Sequence, residues 1–337
     1  MRSLALLLAA AALAAPAAAD AADQVVATVD TPTRLSAYGS GLLWSQRDPE
    51  TGSFWLFYTE ALSPPHALPV AERSVPFDAD LGPGPGGHFL AVYSRCEIEP
   101  AYGPVDAEGP PDYSLGRGCD LYQLDVTTGR ETKVANASSP GADETLPTVW
   151  KDGIAFVRRY PDRALPIVYA RSRTGSEPSR RLPGGPHDHG RATALDLYGR
   201  RLAVAWTFRG RYLGPASDLR LVDTTSRDVT YVDRFAGGGL TTIARDAPAF
   251  EGGQLYYGRF CQGDPGGCRG RSGLVRVRYS TSGAATAPIG DTDLWQARGE
   301  GVTYVLRDRS PFRACREPQV TPLTATCRIV ATTPAYG

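Results

Sequence analysis

The chain is almost without lysine. Lys133 and Lys151 are its only two, and four histidines and a single methionine are similarly sparse in 337 residues. Arginine carries nearly all the positive charge, scattered rather than clustered, and 36 basic residues balance 36 acidic ones. A neutral chain with no basic stripe lacks the field that recruits nucleic acid or an anionic membrane, so neither is expected as a partner. No stretch beyond the N-terminal region approaches the ~18 consecutive apolar residues of a membrane span. Nor is there a G-x-S-x-G elbow, a phosphate loop, a dinucleotide fingerprint or an H-E-x-x-H zinc helix in the context each requires.

The N-terminus itself is distinctive. One cation at Arg2, an apolar run from Leu4 to Ala15 and the small residues Ala17, Ala18 and Ala19 before Asp20 form a secretory signal pattern. Residues 1–19 are expected to be removed, with cleavage as late as residue 22 as the alternative. The mature protein is then exported to the periplasm, cell wall or medium, with no membrane insertion after cleavage.

The remaining chain reads as a repeat of roughly 40 to 60 residues, the spacing of propeller blades. Each unit has a Val/Tyr/Phe-rich strand: Gly41–Gln46, Phe89–Arg95, Gly153–Arg158, Arg201–Trp206, Gln254–Tyr257 and Gly301–Leu306. Each has a partner strand that alternates more cleanly between apolar and polar residues: Phe54–Tyr58, Asp120–Asp125, Pro166–Arg171, Asp218–Asp223, Gly273–Arg278 and Cys327–Ala331. Thr/Ser/Gly turns follow several of them, as at Thr127–Gly129 and Arg173–Gly175. The last unit lacks an outer strand, and Gln24–Val29 is a strand with no unit of its own.

The expected fold is therefore all-β, a single propeller over residues 24–334 with six four-stranded blades. Its ring is closed by the N-terminal strand completing the last blade, which leaves no exposed sheet edge. Seven blades, or a pair of β-sandwiches, are the structural alternatives. The stretches Phe77–Gly82, Phe89–Ser94 and Asp120–Val134 resemble a repeat of the TolB-like, WD40-like propellers. Gly82–Gly87, Lys151–Gly153 and Tyr198–Arg201 stand where that family has a Ser-Pro-Asp-Gly turn. The resemblance implies an exported ring presenting loops to a partner or ligand, and it specifies architecture more than activity.

Six cysteines in an exported chain predict disulfides. Cys96 ends the second strand of its unit and Cys119 opens the third; Cys261 with Cys268 and Cys315 with Cys327 repeat the placement. Strands two and three are blade neighbours, so the repeat register selects Cys96–Cys119, Cys261–Cys268 and Cys315–Cys327. Zinc is disfavoured because Cys261 and Cys268 lack C-x-x-C spacing.

The loops joining strands two and three share a face with the inter-blade connections, and rigid scaffolds carry their binding residues on such loops. Candidate ligand-binding residues there are Glu97 and Glu99 in the Cys96–Cys119 loop, Arg209, Arg211 and Tyr212, and His187-Asp188-His189. Two imidazoles and a carboxylate are the chemistry of metal ligands or of an acid and a base, but without H-E-x-x-H spacing a solvated surface loop is the favoured reading. Asp78 and Asp80, two apart, would point to one face near the ring axis, where they could hold Ca²⁺ or do acid–base work. The plainer reading is that they end a strand and bond the following turn. Asp143-Glu144 and Asp291 with Asp293 recur in other units and point to a blade-building role. Asn136-Ala-Ser138 matches a glycosylation acceptor.

No resident cofactor or metal is required by these residues. The favoured reading is a monomeric, non-enzymatic propeller that binds a protein, peptide or cell-envelope ligand. The alternative is a hydrolase or lyase at the channel mouth, using His187, His189, Asp78 or Asp80.

Overall fold

The computed structural model describes residues 24–29, 33–102, 111–163, 165–183, 190–209, 215–234, 242–262, 273–280, 283–290, 296–299, 302–307 and 327–332. Strand β1 (Gln24–Val29) precedes a first sheet of β2 (Leu35–Tyr38), β3 (Gly41–Arg47), β4 (Phe54–Glu60) and β5 (His66–Ala67). The second is β6 (Asp80–Pro83), β7 (Phe89–Arg95), β8 (Asp120–Asp125) and β9 (Arg130–Lys133). The third is β10 (Asp143–Trp150), β11 (Gly153–Arg159), β12 (Ile167–Ser172) and β13 (Arg180–Arg181). β14 (Arg191–Tyr198), β15 (Arg201–Arg209), β16 (Pro215–Asp223) and β17 (Val229–Arg234) form the fourth. β18 (Thr242–Glu251), β19 (Gln254–Gln262), β20 (Gly273–Ser280) and β21 (Gly283–Gly290) form the fifth.

These five sheets each use four consecutive strands. A further four-stranded sheet has the order β1-β24-β23-β22, from β22 (Gln296–Gly299), β23 (Val302–Arg307) and β24 (Cys327–Thr332). There β1 runs antiparallel to β24, with Gln24 opposite Ala331 and Val29 opposite Cys327. The strands β2, β6, β10, β14, β18 and β22 each contact the next, and β22 contacts β2. Sheets arranged radially, with their first strands around a common axis, make a β-propeller.

Its core is divided among the seams. Leu43, Phe54, Leu56 and Tyr58 of sheet one pack with Phe77, Leu81, Tyr93 and Leu124 of sheet two. Separate clusters fill the seams between sheets two and three, three and four, and four and five. Val29 and Ile329 pack with Leu42 and Trp44 where the β1–β24 pair meets sheet one. Alternation supplies an apolar residue to each side of every inner strand, which is why β3 reads as a nearly continuous buried run.

The first strand of several sheets carries the same bulge. Register shifts occur between Thr145 and Thr148 in β10, Ala192 and Ala194 in β14, and Asp246 and Ala249 in β18. Leu146 and Ala247 lie inside two of them with φ of 50° and 48°, each followed by proline. The extra residue breaks the pleat and re-aims the side chains beside it toward the axis.

Candidate functional site: the axial cavity and the stapled loop

Around the axis lies a cavity of about 50 Å³, lined by short segments of five sheets, among them Arg34–Ala37, Asp78–Asp80 and Ala194–Asp196. One position recurs around it. The Leu81 amide donates to Ser36 Oγ at 2.9 Å, the Val149 amide to Asp80 Oδ2 at 3.0 Å, and the Leu197 amide to Thr148 Oγ1 at 3.0 Å. The Phe250 amide donates to Asp196 Oδ2 in the same way. Each rung joins one sheet to the next, because the side chain of one first strand accepts from the backbone of the following one. The equivalent position in sheet five is Ala249, which has no acceptor.

Asp80 is therefore a rung of a ring-wide ladder. Ser36 Oγ also donates to its Oδ1 at 2.7 Å. Burial nevertheless raises its carboxyl from the ordinary value of 3.8 to about 6, against the lowering effect of these bonds. Asp196, partly open to the cavity, is raised well above its ordinary value, first by burial and then by the charge of Asp80. Burial also raises Asp246, opposed by Arg34. Arg34, from sheet one, donates through Nη2 to the Thr193 carbonyl of sheet four, on the far side of the ring.

Asp78 works differently from its neighbour. It accepts from the Ser94 amide at 3.0 Å and Ser94 Oγ at 2.7 Å within its own sheet, and from the Leu146 amide of sheet three at 2.7 Å. Arg73 Nη1 reaches it at 3.2 Å and also donates to the Ser94 carbonyl at 2.9 Å. The guanidinium grips Glu99 with Nε at 2.8 Å and Nη2 at 2.6 Å. Since Arg73 and Asp78 side chains are 2% and 0% exposed, the triad Asp78–Arg73–Glu99 ties the axis to the base of the Cys96–Cys119 loop.

That loop is stapled and braced. The Cys96–Cys119 disulfide is present, and an isolated bridge pairs Ile98 with Arg117. Tyr113 Oη donates to the Pro76 carbonyl at 3.0 Å, Arg159 Nη1 donates to the Ser114 carbonyl at 3.0 Å, and Arg191 pairs with Asp112. Arg34 lies 5.9 Å from the centre of the Tyr113 ring, so the loop borders the cavity wall. Against this anchored base, Ile98 and Leu115 stand 65% and 55% exposed.

Several sequence expectations change here. Asp78 and Asp80 both face the cavity, but they bond the next sheet's amides rather than a following turn, and their acceptor capacity is used in holding the ring together. Glu99 is a loop anchor, while Glu97 is exposed. Asp143 and Glu144 do build the blade: Asp143 accepts from the Cys119 amide at 3.2 Å and Glu144 from Arg158 Nε at 2.7 Å. They lie outside the register of Asp80, whose counterparts are Ser36, Thr148 and Asp196. Arg209 belongs to β15 and pairs with Pro215 instead of sitting in a loop. Cys261 is buried and disulfide-bonded. His187, Asp188, His189, Arg211, Tyr212, Asp291, Asp293, Cys268 and Cys315, the signal segment and the side chain of Cys327 lie outside the described residues.

No protein-family model matches the chain, and a comparison with curated proteins also finds no match. Among solved structures it is similar to a prolyl endopeptidase at 13% identity and TM-score 0.45, covering 81% of this chain and 38% of that one. It is similar to the β-propeller domain of the Trilobed protease from Pyrococcus furiosus at 11% identity and TM-score 0.44, covering 82% and 74%. An oligogalacturonate lyase in complex with manganese matches at 10% identity and TM-score 0.45, covering 94% and 95%. At such identities none of their activities carries over.

Ser36, Thr148, Asp196, Asp246 and Arg34 are axial residues that the sequence pattern did not single out. Asp196 sits two residues before Tyr198, as Ser36 does before Tyr38 and Thr148 before Trp150. Aligning the units on those aromatic strand ends would have exposed the series. For Arg34 no local signal exists, since its partner lies 159 residues away.

Proposed function

We propose that this is an exported binding propeller that engages a protein or peptide through the stapled Cys96–Cys119 loop. The observation that carries the proposal is the exposure of Ile98 and Leu115 on a loop whose base is fixed by a disulfide and a buried ion-pair triad. Large apolar side chains held rigidly in solvent lose little conformational freedom on docking, which favours their use as interface anchors. Glu97 and Arg117 beside them supply a charged rim, and the partner is an apolar segment flanked by both charge signs. Export rests on the Arg2–Ala19 signal pattern, and the TolB-like resemblance belongs to the same proposal. Among the described residues no helix is long and apolar enough to cross a membrane.

The test is a photo-reactive residue in place of Ile98 or Leu115, compared with one in place of Tyr231, which is 42% exposed elsewhere. Specific cross-linking from the loop positions, abolished by Ile98→Asp with Leu115→Asp, supports the reading. Equal cross-linking from Tyr231 sinks it. The hydrolase or lyase alternative would instead require turnover that is lost when His187 or His189 is replaced.

A further inference from the structure

The ladder around the axis contains two carboxylates where hydroxyls also serve. Ser36 and Thr148 show that a neutral oxygen suffices as the rung. Asp80 and Asp196 add charge at positions flanking sheet three, both facing the same small cavity, and neither joins an ion pair among the described residues. We propose that Asp80 and Asp196 share one proton across the axial cavity, and that its loss, which leaves two buried like charges facing each other, destabilises the ring.

The surroundings define the balance. From β2, Asp80 meets Ser36, and Arg34 lies on the same cavity wall; from its own segment comes Asp78; from β10 come Thr148 and the Val149 amide. Asp196 faces Asp80, the Phe250 amide of β18, and, along that strand, Asp246. Arg34 is committed across the ring to the Thr193 carbonyl and acts on Asp246. Two like charges in a confined space cannot both ionise freely, and one proton then belongs to the pair rather than to either member. Burial and the mutual charge both act in this direction at Asp196, and burial does so at Asp80.

The sign follows. Groups raised in the folded state favour folding most when protonated, so their contribution is complete below the ordinary carboxylate value and is lost as pH rises through the folded value, about 6 for Asp80. The ring is tightest in mildly acidic surroundings and loses stability as pH rises.

The experiment uses the whole mature chain with Asp80→Asn and Asp196→Asn. Asparagine keeps an oxygen for the incoming amide but cannot ionise. Thermal stability of the wild type is expected to fall between about pH 4 and pH 7 with a slope equivalent to about one proton; each variant should reduce that slope and the two together should abolish it. At pH 8 the variants should match or exceed the wild type, a gain that loss of a purely structural bond would not give. An infrared band of a protonated carboxyl should be present at pH 5 in the wild type, fade as pH rises toward 8, and be absent when both residues are replaced. An unchanged slope when both residues are replaced, or no such band at pH 5 in the wild type, overturns the proposal. Because neither readout involves the stapled loop, this outcome is separate from that of the binding test.

Discussion

Replacing Asp78 with alanine tests whether the inter-sheet connections hold this ring. The substitution deletes an acceptor of four hydrogen bonds, from Arg73, Leu146 and twice from Ser94. The Leu146 and Ser94 amides are then left in a buried setting, at about 1–3 kcal/mol each if nothing replaces the oxygen. Breaking a buried ion pair costs about 3–5 kcal/mol, but Arg73 keeps Glu99 and the Ser94 carbonyl, so only part of that applies. The contributions overlap, and a net loss of about 4 kcal/mol is expected. For a chain of this size that is a fall in Tm of roughly 6 °C, read by circular dichroism at pH 7. Asp78→Asn keeps one amide acceptor and should lose about half as much. Glu97→Ala, at an exposed position in the loop, should stay within about 0.5 kcal/mol of the wild type. If Asp78→Ala melts with Glu97→Ala, the reasoning that the buried bonds of Asp78 tie sheet two to sheet three fails.

Gly82→Ala should destabilise by about 1–3 kcal/mol or block folding, because its Cβ would come 2.2 Å from the Val149 carbonyl oxygen where β6 and β10 approach; a thermal melt decides it. Cys96→Ser with Cys119→Ser removes a bridge across a sequence separation of 23 and should cost about 3 kcal/mol in chemical denaturation. Glu99→Ala leaves Arg73 with Asp78 alone, so hydrogen exchange at residues 96–99 and 115–119 should accelerate while sheets four and five are unchanged; uniform acceleration would mean that the triad supports the whole ring instead.

The strands were legible because two local signals coincided: period-two alternation in segments such as Asp120–Asp125 and turn residues between them. Cys96–Cys119 followed from the same repeat, since equivalent strand ends are neighbours. The axis was harder to read. Ser36, Asp80, Thr148, Asp196 and Ala249 occupy one structural position, yet they share no size, charge or polarity. What unites the first four is only an oxygen within reach of an amide, and the bulges that precede Thr148 and Ala249 depend on backbone geometry at residues as unlike as Leu146 and Ala247. Asp78 and Asp80 drew notice as paired carboxylates, a pattern that looks the same whether the oxygens await a ligand or already hold the neighbouring sheet.

The ladder also has an end. Its hooks run from sheet one to sheet five, and at Ala249 the hook is missing. A bracelet built this way has a clasp. The join after sheet five, where β18 meets β22, lacks the side-chain hook that Ala249 cannot supply, so thermal breathing should concentrate there. The spoke formed by Arg34 braces sheets one and four against each other, leaving that clasp as the place where the circle can open without the remaining sheets parting company.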